Sequence, residues 1–132
     1  ILFDESWYLK NTSEGKKLYN FIARQGRSLN LGCIFNGHSV LDIPTEEIKN
    51  TITYKLFFRT ESIDEAKRML QFMKMSESEE NIKSLMELKN GQALFQDLDG
   101  RTGVIQFDAV FEQFIECFST TPKDTLNFED VS

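Results

Sequence analysis

Apolar and polar positions alternate along this chain between two periods, and that alternation predicts the order of elements. Ile1-Leu2-Phe3 reads as the end of a buried strand, stopped by two acids. Asn11-Thr12-Ser13-Glu14 offers an N-cap with a Glu three positions on, and Leu18, Phe21, Ile22 and Gln25 give the helix that follows an apolar stripe ending at Gly26. Leu29 to Phe35 is an almost unbroken apolar run of strand length, the pattern of a strand covered on both faces, so strand, helix and strand imply a parallel pair. Asp42 and Pro44 open a short helix through Ile52, and Tyr54 to Arg59 is the next strand. Ser62-Ile63-Asp64-Glu65 is a capping box ahead of Ala66, Met69, Leu70 and Met73. After a charged turn at 76–80, a further helix carries Ile82, Leu85 and Met86 until Gly91.

The period then changes. Gln92 to Gln96 and Val104 to Phe107 flank Asp99-Gly100, a strong turn signal, and predict an antiparallel hairpin. Phe111, Phe114, Ile115 and Phe118 mark a last amphipathic helix, and 119–132 reads as a polar, loosely ordered tail. The expected fold class is α/β: a mostly parallel sheet, including the strands near Ile1, Leu31 and Tyr54, flanked by helices and followed by the hairpin. If part of such a sheet is missing, an apolar patch near the first strand is expected to be bare.

With 132 residues, 40% hydrophobic and 27% charged, the chain has the composition of a globular domain and is able to bury roughly two thirds of its unfolded surface. No apolar run reaches the roughly 18 residues that span a bilayer. The opening Ile1-Leu2-Phe3-Asp4 has neither a basic region nor an initiator Met, so the chain is expected to be a segment of a longer protein. A net charge of −6 argues against a surface that coats a nucleic-acid duplex and leaves any DNA contact local. Cys33 and Cys117 read as small buried hydrophobes suited to a reducing cytoplasm. With His38 as the single histidine, a His-rich metal site is excluded and a Ser/His/Asp triad is disfavoured.

Three groups of residues carry candidate chemistry. Asp4-Glu5 ends the first strand, where ligands bind in open α/β sheets; an acidic pair there is equally compatible with a solvated loop or a helix cap. Arg24 and Arg27 close the first long helix, and Gly26-Arg27 sets the second arginine on an exposed turn; both also suit the negative end of a helix dipole. Asn36-Gly37-His38-Ser39 follows the second strand as a polar cluster, beside the acids if the two strands are neighbours. His38 is also compatible with a satisfied core position.

Taken together, Ile1-Leu2-Phe3-Asp4-Glu5-Ser6-Trp7, Ala23-Arg24-Gln25-Gly26-Arg27 and the strand ending in His38-Ser39 resemble the Walker B, arginine and sensor segments of the conjugation ATPases of type IV secretion. Gln92 to Asp108, with Asp99-Gly100-Arg101 in its turn, resembles the C-terminal hairpin of the assembly-ATPase branch. The resemblance implies that 1–118 is the C-terminal portion of a RecA-like P-loop ATPase domain. It further implies that Asp4 is the Mg²⁺-associated, cofactor-binding acid, acting through water, that Glu5 is the catalytic base, and that Arg27 is an arginine finger with Arg24 the weaker choice. His38 stands where the family usually places Gln, and could donate to phosphate with a pH dependence that Gln lacks.

The implied parent protein uses ATP and Mg²⁺ and is a homo-oligomer, expected to be a hexamer. It is expected to be cytoplasmic and peripheral at the inner face of the bacterial membrane, where it couples hydrolysis to conjugative DNA transfer or type IV secretion through membrane-embedded channel proteins. No Gly-x-x-x-x-Gly-Lys-Ser/Thr segment occurs in the sequence, so this chain alone is expected neither to hold the nucleotide nor to hydrolyse it. Two other readings fit the same residues: a non-catalytic RecA-like interaction module, and a fragment of a DNA-pumping translocase.

Overall fold

The computed structural model describes residues 1–5, 7–108, 111 and 113. Strand β1 (Leu2–Phe3) and strand β2 (Ile34–Phe35) pair in parallel, with Leu2 opposite Ile34 and Phe3 opposite Phe35. Between them run α1 (Trp7–Lys10) and α2 (Ser13–Gln25), the helical crossover expected of parallel strands. Thr12 caps α2 by accepting the Gly15 N–H at 3.0 Å.

The buried stripe of α2 is Gly15, Tyr19 and Ile22 rather than the predicted row. Leu18 and Phe21 lie on the exposed flank, because the helix is rotated to pack Tyr19 against the stacked pair Phe3 and Phe35. The Phe3, Tyr19 and Phe35 rings meet at centroid distances of 5.4, 5.3 and 5.8 Å. Ile22 and Ile48 complete this first core, with the half-buried Cys33 packed against it.

The apolar run from Leu29 contributes only its last two residues to strand structure. Leu29, Leu31 and Ile34 are exposed, and the chain spends 26–31 reversing direction, with Asn30 at φ 54° and the Leu31 N–H returning to the Gly26 carbonyl at 2.8 Å. Gly26 keeps a right-handed conformation; it is needed because a Cβ there would stand 2.5 Å from the Ile22 carbonyl oxygen. Leu2 and Ile34, partners in the register, are each 66% exposed, so one face of the parallel pair carries a bare apolar patch beside the first strand.

A 3-10 turn (Val40–Asp42) leads to α3 (Glu46–Thr51), capped by Thr45, whose hydroxyl accepts the Ile48 N–H. Strand β3 (Lys55–Phe57) departs from expectation: it pairs antiparallel with β4 (Gln92–Gln96), not with the parallel strands. Its side chains account for this. Lys55 Nζ donates to Gln96 Oε1 at 2.7 Å, Tyr54 stacks on Phe95, and Phe57 meets Phe72 edge to face.

Strand β5 (Thr102–Gln106) completes the predicted hairpin with β4, and Gly100 supplies φ 81° in its turn. Helices α4 (Ile63–Phe72) and α5 (Glu79–Met86) cover this sheet. Their core contains Ala66, Leu70 and Leu85, all fully buried, with Met69, Met73, Leu88, Leu94 and Val40. Ile43 packs against both cores and so joins the two halves.

The architecture is α/β, a parallel pair and a three-stranded antiparallel sheet flanked by helices, consistent with a partial RecA-like fold. Among the described residues no helix is long and apolar enough to cross a membrane. The expected helix at Phe111–Phe118, with Cys117, and the tail at 119–132 lie outside the described residues, apart from the exposed Phe111.

Candidate functional site

The register of the parallel pair decides which polar groups meet at its carboxyl edge. Since Phe3 lies opposite Phe35, the next residues, Asp4 and Asn36, emerge side by side. The Asn36 backbone N–H donates to the Phe3 carbonyl at 2.8 Å, and its side-chain amide donates to Asp4 Oδ1 at 2.7 Å. Oδ1 also accepts the Glu5 N–H at 3.1 Å. Both contacts use Oδ1; Asp4 is exposed, and Oδ2 takes no hydrogen bond from the described residues. The aromatic triad beneath fixes the strands one residue before both groups.

Glu5 turns the chain out of the strand with φ 50°, a left-handed conformation that costs a residue with a side chain about 1 kcal/mol or more. Its carbonyl accepts the Tyr8 N–H at 3.2 Å, and its side chain is exposed beside Asp4. The acidic pair is therefore a shaped corner at the strand end, with one carboxylate oriented and the other free.

The backbone of the loop after Asn36 is held by the side chains of Asp42 and Ser39. Asp42 Oδ2 accepts the N–H groups of His38 and Ser39 at 3.0 and 2.9 Å, and Ser39 Oγ accepts the Leu41 N–H at 3.1 Å. Lys10 Nζ donates to the Leu41 carbonyl, which ties α1 to the same loop. His38 is exposed, which removes the core reading of this residue. Asp42 does not open a helix with Pro44 as predicted; it closes the 3-10 turn from within.

The structure does not bring the arginines to this edge. Helix α2 runs back from the carboxyl end of β1 to the amino end of β2, about 20 Å for its 13 residues, so Arg24 and Arg27 lie at the opposite end of the parallel pair. Arg24 is engaged with Glu47 of α3 at 3.3 Å, an exposed pair. Arg27 is exposed on the turn and has no ion-pair partner among the described residues.

Glu65 reaches the loop beside the acidic edge in a way its local capping pattern did not signal. The Ser62 half of its predicted capping box forms, with Ser62 Oγ accepting the Glu65 N–H at 3.3 Å, but the Ser62 N–H turns to Thr60 Oγ1. The Glu65 carboxylate instead reaches the end of the Asn36–Ser39 loop. The available signal was a charged residue adjoining the apolar face of Ala66, Met69 and Leu70.

Among the described residues no group of three His, Cys, Asp or Glu side chains is arranged to hold a metal ion. A hard cation at Asp4 would need most of its ligands from water and phosphate, the usual arrangement for Mg²⁺ with a nucleotide.

Comparison with known proteins gives the same direction. A Bacillus subtilis (strain 168) protein carrying the name "Uncharacterized protein YddE" is 28% identical over 127 residues, 96% of this chain. The chain spans 15% of the length of that relative. The profile of a family described as an AAA-like domain matches residues 1–118, and a match of that extent, on an α/β fold with its acids at the carboxyl edge of a parallel pair, means that the chain belongs to the AAA-like domain family, a P-loop ATPase type.

Proposed function

We propose that the chain is the Walker B-onward part of a motor ATPase that couples ATP hydrolysis to conjugative DNA transfer or type IV secretion. It works as a homo-oligomer at the inner face of a membrane and drives transport through channel proteins. The observation that carries the nucleotide reading is the hydrogen bond from Asn36 to Asp4, which orients one carboxylate oxygen and leaves the other open at the carboxyl edge of parallel strands. The transport reading rests on the resemblance of the acidic, arginine and sensor segments to conjugation ATPases.

The residues divide the work by position. Asp4, fixed through Oδ1, presents Oδ2 to the water shell of a phosphate-bound cation. Glu5 is free to orient an attacking water and take its proton. His38, with its backbone anchored to Asp42, offers a ring N–H toward phosphate. Arg27, on the turn beyond α2, lies too far from the acids of its own chain to serve them and so acts on a neighbouring subunit, where its guanidinium offsets charge on the transferring group. Bound Mg²⁺-ATP supplies the phosphoryl group and most of the charge neutralisation. The loop that cradles the β- and γ-phosphates has no counterpart in this sequence, so activity requires the longer protein.

In that full-length protein Glu5→Gln retains ATP binding and lowers turnover by roughly two to four orders of magnitude. Binding by calorimetry and steady-state hydrolysis measure the two separately. Unchanged turnover contradicts the proposal.

A further inference from the structure

We propose that Glu65 is a positioning residue that ties the loop after β2 to α4, so that rearrangement of this loop at the nucleotide edge is passed to the antiparallel half of the fold. The inference deepens the nucleotide reading of the Asp4 edge and rests on it.

Glu65 is 8% exposed, and an ionised carboxylate at that depth is costly unless its oxygens are satisfied. Three donors satisfy them. Val40 N–H reaches Oε1 at 2.7 Å, while Ser39 Oγ and Arg68 Nη1 reach Oε2, each at 2.9 Å. Two of the three belong to the loop, 25 and 26 residues earlier in the chain, and only Arg68 is on α4.

The apolar contacts run the same way, since Val40 is buried in one core with Ala66, Met69 and Leu70 of α4. At its other end the loop begins with Asn36, whose amide holds Asp4. Between the two ends, Ser39 and His38 give their N–H groups to Asp42, so the loop is braced and moves as a piece. A contact on Asp4 or Asn36 therefore has a short, hydrogen-bonded route through Ser39 to Glu65 and α4. The alternative is a passive anchor, which would contribute stability but no response to nucleotide. Proximity does not distinguish these two roles; a measured coupling does.

The test is hydrogen exchange by mass spectrometry on the full-length protein, with a non-hydrolysable ATP analogue against ADP. Wild type is compared with Glu65→Gln, which keeps the shape and one acceptor oxygen, and with Ser39→Ala, a milder change that removes one of the two loop donors to Glu65. In wild type, exchange in peptides over 36–42 and over 63–72 differs between the two nucleotides. In either variant the difference at 36–42 persists and that at 63–72 is lost. Turnover falls about tenfold with nucleotide affinity within about twofold, and the double variant falls no further than the worse single one. A nucleotide-dependent difference at 63–72 that survives in both variants overturns the inference, as does a lower melting temperature with turnover unchanged. Failure of the underlying nucleotide reading is separately visible as turnover indifferent to Glu5→Gln, and it removes the inference too.

Discussion

Asn36 holds Asp4: the amide of the residue after β2 donates across 2.7 Å to the carboxylate of the residue after β1. Both side chains are exposed, so the contact contributes no more than about 1 kcal/mol to folding; its consequence is orientation. Asn36→Ala leaves Oδ1 with only the Glu5 N–H. In the full-length protein this lowers turnover about tenfold while the melting temperature barely moves. Equal turnover in variant and wild type makes the contact incidental.

Stability should depend instead on the ring cluster one residue earlier. Phe3 is buried between Tyr19 and Phe35, and Phe3→Ala removes a ring that no neighbour can replace. The expected loss is about 3–5 kcal/mol by denaturant melting. Leu56→Ala, at a position 44% exposed on the antiparallel sheet, costs under about 1 kcal/mol in the same assay. Similar losses at the two sites contradict the described packing.

The sequence showed local structure well and long-range partnership poorly. Apolar periods located α2, α3, α4 and α5 but not the four-residue α1, and Asp99-Gly100 located the hairpin, because caps and turns are settled within a few residues. An apolar run such as Tyr54 to Arg59 announces a strand but not its neighbour. Its direction of pairing depends on Gln96 and Phe95, some 40 residues on. The same limit governed Leu29 to Phe35: only the segment facing Ile1 to Phe3 becomes a strand, and the earlier residues are spent in the turn.

At the site, Asp4, Glu5 and the polar cluster were legible as residues at strand ends. That Asn36 is the group touching Asp4 follows only from the register. Glu65 matched a local capping pattern so well that its distant partners, Ser39 and Val40, were hidden by it.

The hairpin turn carries a pH dependence. Burial pushes the Asp97 carboxyl up, but the N–H groups of Arg101 and Asp99 and the Arg101 guanidinium together outweigh it and hold the carboxyl below its ordinary value. A carboxyl lowered in the folded state stabilises above its unfolded value, roughly 4, and that contribution is lost as the pH falls through the lower folded value. Thermal melts from about pH 6 to about pH 2.5 should therefore show an acid-side loss that is smaller in Asp97→Asn. An identical acid limb in both proteins removes Asp97 as its source.

The proposed nucleotide site is shared between subunits, with Asp4 and Glu5 from one chain and Arg27 from the next. Glu5→Gln and Arg27→Ala damage opposite sides of such a site, so full-length subunits carrying one change each, when mixed, form some interfaces in which both residues are intact. The measurement is ATP turnover of the mixed oligomer against each variant alone, with mixing verified by mass. A shared site gives activity well above either parent variant. Verified mixed oligomers with no recovered activity contradict it and return Arg27 to an exposed helix end.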